Sequence, residues 1–318
     1  MAEPLTLVVG ASGLLGTAIC RRLLAQSRRV RAMVRRPEKE APLAALGCAT
    51  MGADLRTAES LASACEGVAT VIVTATALGS DFSRHSLERV DRQGVLALVE
   101  AARAKGVRQF IYTSVSPLLP PSCAFIRYKR EVEQAVRASG MAYTILQPTA
   151  FMEIHAGAMG GWDYERGRAR IVGSGRAPVS YISVADVAAF AAASIANPLA
   201  TNRDLHLGGP EPISALDAVA IAERVRGRPF RVQRTPIPAL KALSTLVRPF
   251  NPPLSSLLGL VATMDTGIVA DMRSLGRDFA IAQTTFESYV RQRISRGPGI
   301  EGAGRNATEI TAPSAARK

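Results

Sequence analysis

The stretch Leu7–Ala25, "LVVGASGLLGTAICRRLLA", decides how this chain is read. Apolar β-branched residues run into Gly10, further glycines follow at Gly13 and Gly16, and an amphipathic segment begins at once. Glycine tolerates a tight strand-to-helix turn and lets backbone N–H groups approach a ligand, toward which the positive end of the helix dipole points. A pyrophosphate is the anion such a turn holds in parallel α/β sheets. Gly10, Ser12, Gly13 and Gly16, with Leu14 and Leu15 in the first helical turn, form the candidate cradle. The spacing is G-x-x-G-x-x-G rather than G-x-G-x-x-G, so on the motif alone a tight packing turn without a ligand stays open.

Outward from this turn, short β-branched runs recur at 5–9, 29–34, 48–51, 70–75, 109–114 and 143–147. Helical periodicity lies between them, as in Leu87, Val90, Val95, Leu98 and Ala102. The alternation predicts an α/β fold of Rossmann type, a doubly wound parallel sheet with a small C-terminal substrate lobe. Residues 1–150 are expected to form the dinucleotide-binding core, to which 181–210 return with "YISVADVAAFAAASIAN" and "DLHLGG". Segments 151–180 and 211–296 are assigned to the substrate lobe. The first reads as loop with short strands. The second reads as a helix at 214–225, a Pro-punctuated stretch ("TPIP", "RPFNPP") and a helix near 284–294. From Gly297 to Lys318 composition predicts disorder.

The chain has 318 residues, with 39 Lys and Arg against 26 Asp and Glu, a net charge of +13. The arginines are scattered and aromatic residues make up only 5%, which argues against nucleic acid and leaves a phosphate-bearing ligand or an anionic surface. Cys20, Cys48, Cys65 and Cys123 form no CxxC pair and are expected to be buried free thiols in a reducing compartment. His85, His155 and His206 show no ligand spacing, so no metal is expected. "MAEP" leads straight into the first strand, and "LSSLLGLVATM" (254–264) is too short to span a bilayer. The expectation is a cytoplasmic protein without a transmembrane segment, with peripheral membrane contact and oligomeric state left open.

The second strand ends in "AMVRRP". Where an NAD fold places Asp or Glu against the ribose hydroxyls, Arg35 and Arg36 stand here, and paired guanidinium groups suit a 2′-phosphate. NADP(H) is therefore expected ahead of NAD(H), the alternative being that both arginines are solvated surface charge. "GADL" (52–55) places Asp54 and Leu55 to flank an adenine, and "TATA" (74–77) places Thr74, Ala75 and Thr76 beside the nicotinamide path.

Taken together, "VVGASGLLG", "GADL", "VDRQGVLALVEAARAKGVRQFIYTSV", "KREVEQAVRASGMAYTILQPTAFME" and "YISVADVA" resemble an atypical short-chain dehydrogenase/reductase. The likeness is to the NmrA-like, isoflavone-reductase-like and complex-I-39-kDa-like NAD(P)-binding proteins, over residues 5–210. The resemblance implies Ser114 or Ser116 near the nicotinamide, Lys129 in the active-site lysine slot against the cofactor, and Asp91 in a V-D-x-x-G slot. It also implies Pro148, Thr149 and Ala150 beside the nicotinamide.

One position departs from that pattern. Four residues before the lysine, where family members with carbonyl chemistry carry a proton-donating Tyr, stands Phe125. Tyr128 is adjacent to Lys129 and on a helix points about 100° away from it. Phe125, Lys129, Val132 and Val136 fall on one helical stripe, where an ammonium needs an anion, a ribose or a substrate, or else snorkels outward. Asp91, between Leu87 and Val95, reads equally as a structural carboxylate or a proton relay. The implied function is an NADPH-dependent oxidoreductase passing hydride to a small or medium apolar acceptor (enone, quinone, imine or activated alkene). The missing tyrosine supports a second reading, a non-catalytic NADP(H)-binding redox sensor or assembly factor.

Overall fold

The computed structural model describes residues 3–295; the tail expected to be disordered lies outside them. The first half alternates strictly: β1 (Leu5–Val9), α1 (Leu14–Ala25), β2 (Arg29–Val34), α2 (Glu40–Ala45), β3 (Ala49–Gly52), α3 (Ala58–Ala64), β4 (Val68–Val73), α4 (Val95–Ala104), β5 (Gln109–Thr113), α5 (Ala124–Ala138) and β6 (Ala142–Pro148). Then come β7 (Ala150–Phe151), α6 (Met152–His155), β8 (Arg168–Val172), β9 (Tyr181–Ile182), α7 (Val184–Ala193) and β10 (Arg203–Leu207). The chain closes with α8 (Ala215–Arg226), β11 (Arg231–Thr235), α9 (Ile237–Val247), α10 (Pro252–Val261), α11 (Arg273–Phe279) and α12 (Phe286–Ser295).

Seven strands form one sheet in the order β10-β6-β5-β4-β1-β2-β3, every pairing parallel. This is the doubly wound Rossmann arrangement that the alternation predicts. Its strand order reverses between β1 and β4, and ligands in such sheets bind outside the strand ends at that switch point. Side chains alternate across the sheet with period two. Leu7, Val9, Val71, Val73, Phe110, Tyr112 and Ile145 pack on one face with Leu98 of α4 and Val132 and Val136 of α5. Val8, Ile72, Ile111 and Leu146 pack on the other with Ile19 and Leu23 of α1 and Val187 and Phe190 of α7. Both faces are covered, which is why these strands are apolar at nearly every position.

The segment between β4 and α4 is a π-helical turn, Glu88–Gly94. Its trace is in the sequence: Val90 to Val95 is a five-residue step, one longer than an α-helical face allows. The Pro-punctuated stretch holds the two helices α9 and α10. Pro238 and Pro252 sit in their first turns, where a missing N–H costs nothing, so these prolines start helices rather than break them.

A second apolar centre gathers Met152, Trp162, Tyr164, Ile171, Val219, Phe230, Phe286 and Val290 around the two-stranded sheet β8–β11. All four cysteines are free and buried. Cys20 on α1 and Cys48 ahead of β3 share a side-chain hydrogen bond, which together with burial pushes the Cys20 thiol up.

Phe190 is 1% exposed and meets Phe279 edge-on at 5.4 Å, tying α11 to α7 and the sheet. Phe190→Ala is expected to cost about 3–5 kcal/mol in chemical denaturation, since the close-packed face cannot refill the cavity.

Candidate functional site

The turn after β1 is built on close backbone approach. Gly10 has φ +86°, and a Cβ there would lie 2.7 Å from the Ala75 N and 2.8 Å from Thr74 Oγ1. At Gly16 a Cβ would run into the Gly10 carbonyl carbon at 2.7 Å and its oxygen. Both positions therefore require glycine. Gly13 donates to the Gly10 carbonyl at 2.9 Å, and Thr74 Oγ1 donates to the Val9 carbonyl at 3.1 Å, closing the turn against the end of β4. Gly13 is the N-cap of α1 and supplies no side-chain cap. The first intrahelical bond is Thr17 N–H to the Gly13 carbonyl, so the amides of Leu14, Leu15 and Gly16 precede it. Ser12, Gly13 and Leu14 are exposed. The result is a set of outward amide donors at a positive helix end, with no acidic residue in the first turn.

Beside it, at the ends of β2 and β3, stand four charged side chains. Arg35 Nη1 lies 4.0 Å from Asp81 Oδ2, a loose, partly buried pair. Arg36 is exposed. Asp54 is gripped by Arg56, with Nη2 to Oδ2 at 2.6 Å and Nε to Oδ1 at 3.1 Å. Burial opposes ionisation of Asp54, but the Arg56 guanidinium and backbone N–H, aided by Arg35, hold its carboxyl below the usual range. Leu55 is buried against the π turn, where a Cβ on Gly94 would meet its carbonyl oxygen at 2.6 Å.

A second group lies under the ends of β4 and β5. Lys129 is 4% exposed and donates from Nζ to the Thr113 carbonyl at 3.0 Å. Its ammonium lies 4.8 Å from the Tyr112 ring centroid and 5.4 Å from that of Phe125. Tyr112 is fully buried, and its hydroxyl has no hydrogen-bond partner among the described residues. Asp91, in the π turn, accepts from the Ala77 N–H at 2.8 Å through Oδ2, while Oδ1 meets no donor within hydrogen-bond distance among the described residues. Burial pushes Asp91 up, against the pull of Lys129, the Thr76 hydroxyl and the Ala77 N–H. Burial likewise pushes Lys129 below the usual lysine range, against the carboxylates of Asp91 and Glu133. Tyr128 points elsewhere, its ring under Arg92 at 6.0 Å.

The two serines belong to a third group. Ser114 Oγ donates to Glu133 Oε1 at 2.5 Å, and the same oxygen accepts from Arg130 at 2.6 Å and from Gln147 at 3.0 Å. Arg130 also donates to the Val115 and Ser116 carbonyls. Ser116 Oγ is hydrogen-bonded to His206 Nε2 at 2.8 Å. Burial and the Arg130 charge lower the His206 pKa, which leaves a neutral ring. Both hydroxyls thus have interior partners. Pro148 accepts from the Ser116 N–H at 2.9 Å, Thr149 donates from its hydroxyl to the Ser180 carbonyl, and Ala150 pairs with Tyr181. Glu133, Tyr112 and His206 were not singled out from sequence. Glu133 had a signal, since it flanks the apolar stripe of α5; His206 had none.

Residues 10–198 match the sequence profile of the NAD(P)H-binding family, more than half of the chain, and the chain belongs to that family. It is 26% identical over 298 residues to the photosystem II assembly factor Ycf39 of Synechocystis sp., covering 91% of this chain and 90% of that protein. It is 31% identical over 230 residues to the NAD(P)H azoreductase of Xenophilus azovorans, covering 71% and 75% of the two chains. Among solved structures, the NADPH complex of the quinone oxidoreductase QOR2 from Escherichia coli superimposes with a TM-score of 0.74 at 23% identity, over 91% of this chain and 99% of that one. That likeness shows the fold. The glycine cradle, whose Cβ positions are filled by backbone and whose amides face outward, fits the diphosphate of such a dinucleotide.

Lys129→Met removes the charge that opposes the upward shift of Asp91. The native carboxyl then keeps its proton to higher pH than the unfolded one, whose ordinary value is 3.8. Its contribution is complete below that value and is lost as pH rises through the native pKa. The melting temperature of Lys129→Met should therefore fall more steeply with rising pH than the wild type's, and adding Asp91→Asn should flatten the curve.

Proposed function

We propose that this chain is an NADPH-dependent oxidoreductase that delivers hydride to a small or medium apolar acceptor: an enone, quinone, imine or activated alkene. The observation that carries the reading is the open amide cradle at the sheet's switch point, with a buried lysine beneath the neighbouring strand ends. The azoreductase relative and the QOR2 fold support it. The bound reduced nicotinamide would supply the hydride.

The chain's own residues would divide the remaining work. Gly10, Ser12, Gly13, Leu14, Leu15 and Gly16 hold the diphosphate, and Thr74, Ala75 and Thr76 lie along the path to the nicotinamide. Arg35 and Arg36 reach the 2′-phosphate, Arg35 being paired with Asp81 at a loose 4.0 Å. Asp54, clamped by Arg56, frames the adenine side with Leu55. Pro148, Thr149 and Ala150 wall the nicotinamide side. Phe125 is an apolar wall that excludes water and has no proton to give. Lys129 orients the ribose and supplies the proton from Nζ, its lowered pKa making the ammonium a better acid than a free lysine. Ser114 and Ser116 act one step back, fixing the β5 end through Glu133 and His206. The lobe of 151–180 and 211–296 covers the acceptor.

A second reading, a non-catalytic NADP(H) sensor or assembly factor, draws on Phe125 in the tyrosine slot and on the Ycf39 relative. Turnover separates the two. NADPH oxidation with a panel of quinones, enones and azo compounds should be steady and should fall as pH rises through the lowered lysine pKa. Lys129→Met should reduce kcat by about 10²–10⁴-fold and weaken NADPH binding by no more than the roughly tenfold that one lost ribose hydrogen bond costs. Tight NADPH binding without turnover on any acceptor would favour the sensor instead.

The cofactor preference has its own measurement. The double variant Arg35→Ser/Arg36→Ser should weaken NADPH binding by about 10–100-fold in calorimetry while leaving NADH within a few-fold, because only the 2′-phosphate loses its charge-assisted bonds.

A further inference from the structure

Charged groups that follow β2, β3 and β4 meet at one corner of the cleft. Arg35 follows β2, Asp54 and Arg56 follow β3, and Asp81 comes from the segment after β4. In the sheet β1 lies between β4 and β2, so that segment passes the end of β1 to reach Arg35. Thr74 is fastened there, donating to the Val9 carbonyl at 3.1 Å. Asp81 Oδ2 then stands 4.0 Å from Arg35 Nη1. Burial opposes ionisation of Asp81, but the Ser83 N–H and hydroxyl, with Arg35 and Arg56, hold its carboxyl below the usual range.

The two carboxylates are held differently. Asp54 accepts from the Arg56 side chain and N–H at 2.6 to 3.1 Å, between near neighbours in the chain. Asp81 reaches Arg35 by a long contact, and its bonds at 3.0 Å to Ser83 and Ala77 and at 2.7 Å to Ser86 are local. A long ion pair across the sheet end yields before a bidentate clamp does. Arg35 and Arg56 against Asp54 and Asp81 make a neutral set, with Arg36 exposed beside it. A phosphate entering the set meets the full attraction of Arg35 only when Asp81 has moved away. A ribose 2′-hydroxyl carries no charge and leaves the pair as it stands.

We propose that Asp81 is a specificity-determining counter-anion, seated through Arg35 where the 2′-phosphate goes, which NADPH has to displace and NADH does not. The inference rests on the reading that this corner receives the adenine ribose of NADP(H). Asp81 thus narrows the preference for the phosphorylated cofactor that Arg35 creates.

Calorimetry of the full chain with NADPH, NADH, 2′,5′-ADP and 5′-AMP tests it. Asp81→Asn keeps an acceptor for the Ser83 N–H and removes only the charge; its melting temperature checks the fold. At low salt it should tighten NADPH and 2′,5′-ADP by about three- to tenfold, with NADH and 5′-AMP within about twofold of the wild type. The gain should shrink at high salt, and it should fall in an Arg35→Ser background, where no Arg35 charge is left to release. If the wild type binds NADPH and Asp81→Asn binds it no tighter, the inference is overturned while the cofactor reading stands. It is also overturned if the variant tightens NADH as much as NADPH, or if the gain is undiminished without Arg35. Binding of none of the four ligands by the wild type would overturn the inference and the cofactor reading together.

Discussion

The contact on which the rest depends is the approach of the Gly10 backbone to Ala75, across the ends of two adjacent parallel strands. Any side chain at Gly10 or Gly16 would hold α1 away from the end of β4. With both absent, the helix starts within the turn and its free amides collect at the one place where the strand order reverses. A positive end of a dipole, a gap between strand ends and unpaired donors then coincide. Such a site is made by leaving atoms out.

The charged groups around it differ in what they demand. Glu133 is buried and satisfied: a serine, an arginine and a glutamine share its Oε1, so it stiffens α5 against the ends of β5 and β6. Asp91 and Lys129 are buried and only partly satisfied, with no donor within hydrogen-bond distance of Asp91 Oδ1 among the described residues. Removing charges from water without full compensation is costly, and functional sites are where such cost is retained. The π turn that presents Asp91 fits this view, since its wider register aims the carboxylate at Ala77 and Thr76, beneath the cradle.

The segments after β6 pack around the sheet's edge and the start of α5. Leu260 of α10 and Met264 pack on the apolar cluster of Cys123, Phe125 and Ile126, so α10 covers the start of the helix that carries the lysine. The aromatic cluster of Trp162, Tyr164, Phe230 and Phe286 gives β8 and β11 a core of their own. α9 is the exception in this packing, with Leu240 buried on one side and Leu243 and Leu246 exposed on the other.

The alternating strands, the glycine turn and the lysine on the buried face of α5 could all be read directly from the chain, because each is a local pattern. Period-two and period-four spacings, and a residue lacking Cβ, act over a few neighbours. The π turn and the proline-started helices are also written there, as a five-residue step and as prolines in first turns, but a five-residue step departs from α-helical spacing and a proline marks a helix start and a helix stop alike. What only the tertiary structure decided are pairings between distant segments. Ser116 and His206 are 90 residues apart, and the Gln109 amide reaches the Ser194 carbonyl across 85. Tyr112 beneath Lys129, the Cys20–Cys48 contact and the bare stripe of α9 belong with them. No spacing rule foretells which side chain meets which once helices cross a sheet, nor which apolar face is left uncovered, because both depend on how the layers close.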